Sequence, residues 1–159
     1  MDKKQTAAHV PDFDDIAGSS AFLRKTAAVK GCTEKSVLFG DSLRNLSDEE
    51  IGQLLRQGNA CDDWGRILVV DNFKATCIYY NTFQGDCRIG SFNSKRIAVD
   101  KTFSLSSGIY LSIIIDSEIG NDCIVHNSGV IANYIVDDEA MLLKNGSLSA
   151  SACCSFGNG

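Results

Sequence analysis

The sequence predicts a mainly β protein, built as a left-handed parallel β-helix with one short α-helix near its N-terminal end. Two patterns carry this prediction. Aliphatic residues recur every six positions between about residues 83 and 143, and the segment before them holds short apolar runs separated by Gly, Asn and Asp. An α-helix repeats every 3.6 residues and an ordinary strand every 2, so a period of six favours a coil with three flat faces.

The composition predicts one domain, with or without a loose tail. The chain has 159 residues, 44 % of them hydrophobic, and a net charge of −5 from 15 basic and 20 acidic side chains. The longest basic runs, Lys3-Lys4 and Lys95-Arg96, are too short for a nucleic-acid partner. No apolar stretch is long enough for a membrane partner, and no apolar segment precedes Pro11, so we expect a cytoplasmic location.

Seven cysteines indicate free thiols in a reducing compartment. They are Cys32, Cys61, Cys77, Cys87, Cys123, Cys153 and Cys154. The count is odd and no CxxC motif occurs, so a disulfide framework is not expected. Zinc ligands come in pairs two to four residues apart, a spacing that these cysteines lack, and we therefore predict no metal site.

The N-terminal part divides into an extension and a capping helix. Residues 1–43 have weak periodicity, and we expect a poorly ordered extension there. Within the next segment, 44–76, Ser47 is a good N-cap and Glu50 completes a capping box, which predicts a helix over about 48–57. Gly58 is suited to the C′ position, and Trp64 downstream is a candidate anchor for the helix. The β-helix domain is assigned to 77–159 and expected to be incomplete.

The six-residue ladder has two in-phase series. The first series is Ile113, Ile119, Val125 and Ile131, with Phe83 and Ile89 earlier in the same frame. The second is Ser117, Cys123, Gly129 and Ile135, with Cys87, Val99, Leu105 and Leu111 earlier in its frame. We expect the aliphatic residue of each hexapeptide, and the small one beside it, to point inward, with Gly, Asn and Asp serving the turns.

The frame breaks at two places. Lys95, Lys101 and Ser107 occupy the first position, which predicts a loop or insertion around 91–108. Asp137-Asp138-Glu139 predicts a charged corner, after which Leu142, Leu143 and Leu148 continue in a shifted frame. About three coils, spanning roughly 77–154, are therefore predicted.

Several segments, taken in order, resemble a known family. They are Arg44-Asn45-Leu46-Ser47-Asp48-Glu49-Glu50-Ile51, Asp62-Asp63-Trp64, Phe83 with Arg88-Ile89-Gly90, Ser107-Gly108-Ile109-Tyr110, Ile119-Gly120-Asn121-Asp122 and Ile131-Ala132-Asn133-Tyr134. Over roughly 44–159 they are similar to an uncharacterised bacterial left-handed β-helix family of hexapeptide-repeat type, found mainly in Bacteroidetes and spirochaetes. Members of that family are several times longer, so the resemblance implies that this chain is truncated.

The resemblance implies a class of function through the wider superfamily, which contains acyltransferases of nucleotide-linked sugars and amino sugars, and nucleotidyltransferases with β-helix tails. We therefore expect a transferase that binds no resident cofactor and takes acetyl-CoA or a nucleotide sugar as substrate. Its partner would be two further copies in a homotrimer, as in β-helix acyltransferases, or the missing remainder of a longer protein.

Candidate site residues follow from the same resemblance. His126 is the candidate catalytic base, because these acyltransferases use a His on the β-helix to deprotonate the acceptor. Asn133, Tyr134, Tyr110 and Asn127 are candidate substrate-binding residues. Each has a structural alternative: an Asn can satisfy the backbone of a turn, a Tyr can cap the hydrophobic column, and a lone His can be a solvated polar residue.

A non-catalytic scaffold or binding module is the alternative function. The sequence contains no paired acid and base, no nucleophile triad, no P-loop and no GxGxxG. A regular solenoid also offers flat surfaces for assembly.

Overall fold

The computed structural model describes residues 36–99 and 101–150, and within them the protein is mainly β with one α-helix. The expected extension at 1–43 therefore lies outside the described residues except for 36–43. Ser36 to Gly40 form a turn closed by a bridge between those two residues. His9, Cys32, Cys153 and Cys154 also lie outside the described part of the chain.

Helix α1 spans Asp48–Arg56, which confirms the predicted helix to within one residue. The backbone N–H of Glu50 donates to the Ser47 hydroxyl, and the Glu50 carboxylate accepts from the Ser47 N–H, so the capping box is present. Gly58 has a φ of 77°, as expected for the C′ position. The helix packs on the 3-10 turn Ala75–Cys77, and Leu54 is its buried residue.

Short strands joined by turns follow and precede the helix in the described chain. They are β1 Leu43–Asn45, β2 Ala60–Cys61, β3 Ile67–Val70, β4 Ile78–Tyr79, β5 Thr82–Gln84, β6 Cys87–Ile89, β7 Arg96–Ala98, β8 Ser104–Ser106, β9 Gly108–Ile115, β10 Glu118–Ile119, β11 Ile124–Ala132, β12 Ile135–Val136, β13 Met141–Leu143 and β14 Leu148–Ser149. A second 3-10 turn spans Trp64–Arg66.

The strands form two larger sheets whose pairing is almost entirely parallel. One sheet has the order β1-β3-β6-β10-β12, and only β1 runs antiparallel to its neighbour β3. The other follows the path β13-β11-β9-β5-β2, with β4 also pairing with β9 and β14 with β11. Parallel pairing begins at Ala60, which pairs with Thr82, and so starts well before the predicted boundary at residue 77.

Strands that pair after residue 108 are separated by nearly equal lengths of chain. The hydrogen bond from the Ser128 N–H to the Ser112 hydroxyl joins β11 to β9 and spans 16 positions. The hydrogen bond from the Asn133 side-chain amide to the Ala150 carbonyl lies just after the paired ends of β11 and β14, and it spans 17 positions. The chain therefore returns to the same sheet after a nearly constant interval.

A hairpin lengthens one of these intervals. Ile89 pairs with Ile119, and the chain between them includes the antiparallel pair of β7 and β8. The hydrogen bond from the Ser112 N–H to the Asn81 side chain accordingly spans 31 positions. The predicted insertion around 91–108 is therefore confirmed, as a hairpin outside the two parallel sheets.

Left-handed backbone conformations recur along the same segment. Non-glycine residues with positive φ occur at Leu111, Asp116, Asp122, Asn127, Asn133, Glu139 and Lys144. Those at Asn127, Asn133 and Glu139 fall between Ile124 and its partner Met141, so the repeat contains three of these turns. The last of the three follows Asp137, and the charged corner predicted there is confirmed as a turn at Asp138 and Glu139.

The core lies between the sheets and is apolar. Of the first ladder series, Phe83, Ile89, Ile119, Val125 and Ile131 are buried, as predicted. In the second series, Cys87, Ser117 and Cys123 are also buried. Ile67, Val69, Ile78, Ile109 and Ile114 complete the apolar interior.

Ile113, Leu111 and Gly129 do not point inward, and the prediction for them was wrong. Ile113 is 38 % and Leu111 52 % exposed, whereas Ile114 is fully buried. The pairing of β9 with β11 shifts between His126 and Gly129, where β11 has one residue more than β9. A strict six-residue spacing counted back from Val125 and Ile131 therefore reaches Ile113, whereas the residue that pairs with Ile131 and is buried is Ile114. In β11 itself, Ser128 rather than Gly129 is buried.

Candidate functional site

A ladder of buried polar side chains supports the turn between the two halves of β9 and of β11. The side-chain oxygen (Oδ1) of Asn59 accepts from the backbone and side-chain N–H groups of Asn81 at 3.0 Å. The Asn81 oxygen accepts from the Ser112 N–H, and the Ser112 hydroxyl accepts from the Ser128 N–H at 3.1 Å. Each of the first three ladder residues thus uses its side chain to accept a hydrogen bond from the backbone of the equivalent residue on the next strand, and the resulting network stabilises the turns at this position.

Aromatic side chains align on the outer face beside this ladder. Tyr79 pairs in register with Tyr110, and their rings are nearly parallel with centroids 6.2 Å apart. His126 pairs in register with Tyr110 on the other side, and the two ring centroids are 5.9 Å apart. Burial raises the pKa of Tyr110 to about 12, so its hydroxyl stays protonated at neutral pH.

A shallow open groove of about 320 Å³ lies next to the aromatic row. It is lined by Tyr80, Thr82, Leu111, Ser112, Ile113, Asn127 and Gly129. Tyr80, Leu111 and Asn127 occupy equivalent turns with positive φ, and Thr82 and Ile113 pair in register on the adjoining strands. The groove therefore crosses successive strands and lies between a row of turn residues and a row of strand residues, and we call it the turn groove.

Asn127 differs from the other asparagines of the turns. The amide of Asn133 donates to the Ala150 carbonyl at 2.8 Å, and those of Asn59, Asn81 and Asn121 also bond to neighbouring strands. The Asn127 amide makes no hydrogen bond within the described part of the chain. Its donors and acceptor are therefore available to a ligand in the turn groove.

His126 lies next to Tyr110 and Asn127, and it has no catalytic partner among the described residues. Its imidazole makes no hydrogen bond to any of them, and its neighbour in the row is an aromatic ring. A general base is ordinarily oriented by a second group, most often a carboxylate. The arrangement is that of a half-buried polar ring on a sheet surface.

Asn133 and Tyr134 are not brought to this site. Asn133 bonds across to Ala150, and Tyr134 packs against the hydrophobic core while its backbone N–H donates to the Ser117 hydroxyl. Neither residue lines the turn groove. For both residues the geometry is that of the structural alternative.

Carboxylates at a second row of turns serve the backbone. Asp62 accepts from the Gly85 N–H, and this hydrogen bond keeps the pKa of Asp62 below its usual range. Asp116 accepts from the Asp86 N–H at 2.9 Å, and Arg66 forms an ion pair with Asp86. Over residues 36–99 and 101–150, no group of three His, Cys, Asp or Glu side chains could hold a metal ion.

The cysteines of the described segment are free thiols. Burial raises the pKa of Cys87 to about 11 and that of Cys123 to about 12. A thiol with so high a pKa is a poor nucleophile at neutral pH. These residues fill the core rather than form a reactive centre.

Sequence reasoning missed Tyr79, Tyr80 and Thr82 as site residues. Their partners on β9 lie far along the chain, because the hairpin of β7 and β8 interrupts the repeat. The Tyr79-Tyr80 pair before a short strand was the available signal. Because the sequence alone does not give the length of the insertion, the Tyr79-Tyr80 pair could not be aligned with Tyr110 and Leu111.

Comparison with known proteins gives a family but no activity. Residues 43–159 match the family described as "Domain of unknown function (DUF4954)". The chain is also 32 % identical over 144 residues to an uncharacterized protein of Treponema pallidum (strain Nichols), a match that covers 87 % of this chain and 20 % of that relative. The chain thus spans about a fifth of the relative's length. No solved structure matches.

Across residues 36–99 and 101–150, no helix has both the length and the apolar character needed to cross a membrane.

Proposed function

Since the chain belongs to the DUF4954 family, we propose a function from its geometry: it is a non-catalytic binding module built as a left-handed parallel β-helix of hexapeptide-repeat type. The observation that carries the proposal is the turn groove, in which Tyr80, Thr82 and Asn127 present polar groups that the fold does not use. Concave sites with an apolar lining and a few convergent polar groups are the usual form of ligand sites.

Three features support the β-helix. The strands pair in parallel, the chain returns to each sheet after a nearly constant interval, and three left-handed turns occur within the repeat. A three-faced coil of hexapeptides needs all three features. The buried ladder of Asn59, Asn81, Ser112 and Ser128 would then be one corner of the prism, stacked coil over coil.

Binding is favoured over catalysis by the surroundings of His126. A base that lacks an orienting partner loses the fixed tautomer and position on which proton transfer depends. Binding requires only that the groove present complementary surface. In the groove, Tyr80, Leu111 and Asn127 each directly precede a residue of the buried polar ladder, which supports the turns that carry them.

An acyltransferase is the second candidate, and the position of His126 favours it. The imidazole is only partly buried and directly precedes Asn127 of the turn groove. With acetyl-CoA as donor and an amino sugar or nucleotide sugar as acceptor, His126 would take the proton from the attacking amine or hydroxyl. The amine or hydroxyl would then attack the thioester carbonyl, the C–S bond would break as the acetyl group is transferred, and the protonated His126 would give its proton to the departing CoA thiolate.

Release of CoA from acetyl-CoA separates the two candidates. We expect the full chain to release no CoA above the buffer rate with any of a panel of amino sugars and nucleotide sugars. Turnover that is lost in His126→Ala and retained in Lys144→Asn, a change outside the groove, would establish the transferase and end the binding-module proposal.

Partners and location follow from the same proposal. A homotrimer or the remaining part of a longer protein is the proposed partner, and light scattering on the eluted full chain distinguishes a trimer from a monomer. The free thiols Cys61, Cys77, Cys87 and Cys123 support a cytoplasmic location.

A further inference from the structure

We infer that the turn groove is a site for a neutral oligosaccharide, which rests on the proposed function and gives its ligand a chemical class. Two properties of the groove support this class: its lining has no charged side chain, and its polar groups flank apolar surface.

The charge of the lining excludes an anionic ligand. None of the described residues that form the groove is charged, and the next turn residue in the series, Lys144, is not part of the lining. A nucleotide sugar needs cationic or oriented N–H partners for its pyrophosphate. The chain as a whole carries a net charge of −5, which repels polyanions further.

The apolar walls suit the carbon face of a sugar ring. The Tyr80 side chain is 66 % exposed and Leu111 52 %, and both belong to left-handed turns that occupy equivalent positions beside neighbouring strands. The Tyr80 ring lies against Gly58, where an added Cβ would be 2.6 Å from it. An exposed aromatic ring beside an exposed aliphatic side chain offers apolar surface to one face of a sugar.

The polar groups suit the hydroxyls of the same ring. The Asn127 amide supplies two donors and one acceptor, and the Thr82 hydroxyl can both donate and accept. Neither side chain bonds to another residue in the described ranges. Hydroxyls on a neutral sugar require this mixture of donors and acceptors.

The shape favours a chain of sugars over a single one. The groove is open and crosses strands β5, β9 and β11 in succession. Its volume of about 320 Å³ is at the lower end of the range for ligand sites, roughly 300–1,000 Å³, and its open ends leave room for a sugar chain longer than the groove itself.

Isothermal titration of the full chain tests the inference with cellohexaose, maltohexaose, mannohexaose and chitohexaose as neutral probes and UDP-N-acetylglucosamine and heparin as anionic ones. We expect at least one neutral hexasaccharide to bind and neither anion to do so. Tyr80→Asn and Leu111→Asn keep residues that tolerate positive φ and should each weaken binding about tenfold, as loss of a central contact does. Lys144→Asn, at the equivalent turn outside the groove, is the matched control and should bind as the wild type does.

Each other outcome overturns the inference. Binding of UDP-N-acetylglucosamine alone would contradict the neutral ligand but leave a binding module in place. Absence of binding by all four hexasaccharides at millimolar concentration would contradict the site itself. Equal affinity in wild type, Tyr80→Asn and Leu111→Asn, with unchanged thermal midpoints, would place the sugar elsewhere. CoA release in the separate assay tests the proposed function independently.

Discussion

The carboxylate of Glu118 accepts a hydrogen bond from the hydroxyl of Ser36, 82 residues earlier in the chain, at 2.8 Å. The same carboxylate accepts from the backbone N–H groups of Val37 and Leu38, and Glu118 is only 6 % exposed. A single side chain on β10 thus fixes the turn that begins the described chain against the surface of a parallel sheet.

Glu118→Ala is expected to lower the free energy of unfolding by about 3 kcal/mol, because it leaves the Val37 and Leu38 N–H groups and the Ser36 hydroxyl without their charged acceptor. Urea denaturation followed by circular dichroism measures the loss. Glu139→Ala is the matched control, since its exposed pair with Lys95 contributes under about 1 kcal/mol. Equal losses in both variants would show that Glu118 does not hold the turn.

Asn81→Ala should cost about 3 kcal/mol, because it leaves the buried Ser112 N–H without its acceptor and removes the amide that donates to the Asn59 side chain and the Ile109 carbonyl. Asn133→Gly, at an exposed turn with a φ of 58°, should change stability by less than about 1 kcal/mol. Thermal and urea unfolding of both variants check the difference. A mild effect at Asn81 would mean that the stacked ladder contributes little to the fold.

Gly129→Ala and Gly146→Ala separate backbone strain from steric conflict. Both glycines have positive φ, but a Cβ at Gly129 would collide with the Gly146 carbonyl, whereas a Cβ at Gly146 meets nothing within 4 Å. Gly146→Ala should therefore cost only about 1 kcal/mol from its conformation. Gly129→Ala should cost clearly more, and the order of the two unfolding midpoints is the measurement. The reverse order would contradict the parallel pairing of β11 with the segment that follows it.

Stability should fall at alkaline pH because of the buried thiols. Folding raises the pKa of Cys123 to about 12 and that of Cys87 to about 11, so the folded state favours the protonated forms. The contribution is fully present below about pH 8.5, where the unfolded thiols begin to ionise, and is lost as the pH rises through the folded values. Unfolding free energies measured from about pH 7 to about pH 10.5 should decline, and the decline should be shallower in Cys123→Ala. An identical slope in that variant would show that Cys123 ionises equally in both states.

Much of the fold could be predicted because its signals are local. The capping box of Ser47 and Glu50 is contained in one short segment, and it placed the helix to within one position. The hexapeptide series placed Ile89, Ile119, Val125 and Ile131 in the core. Local periodicity is enough wherever each repeat has the same length.

The misplaced residues lie where one repeat differs in length from the next. The extra residue of β11 relative to β9 turned Ile113 outward, and no pattern in a single sequence shows where such an irregularity falls. Tyr79 and Tyr80 were not predicted as site residues for a related reason, because a hairpin separates them in the chain from Tyr110 and Leu111. Tyr110, His126 and Asn127, which were predicted from the sequence, lie close together on two adjoining strands, whereas Tyr80 and Thr82 of the groove were not predicted.

The contact between Glu118 and Ser36 could not be predicted either. It joins segments whose proximity depends on every intervening strand, and neither residue has a sequence neighbour that signals it. Glu118 has the sequence context of an ordinary solvated carboxylate, but the turn at Ser36 and the Arg88 side chain both lie against it.

A crystal structure of the full chain tests the central claim most directly. The account predicts left-handed coils in which Ile119 lies between Ile89 and Val136 in a parallel stack, with turns at Asp116, Asp122 and Asn127. Antiparallel pairing of β9 with β11, or a right-handed path between them, would contradict it.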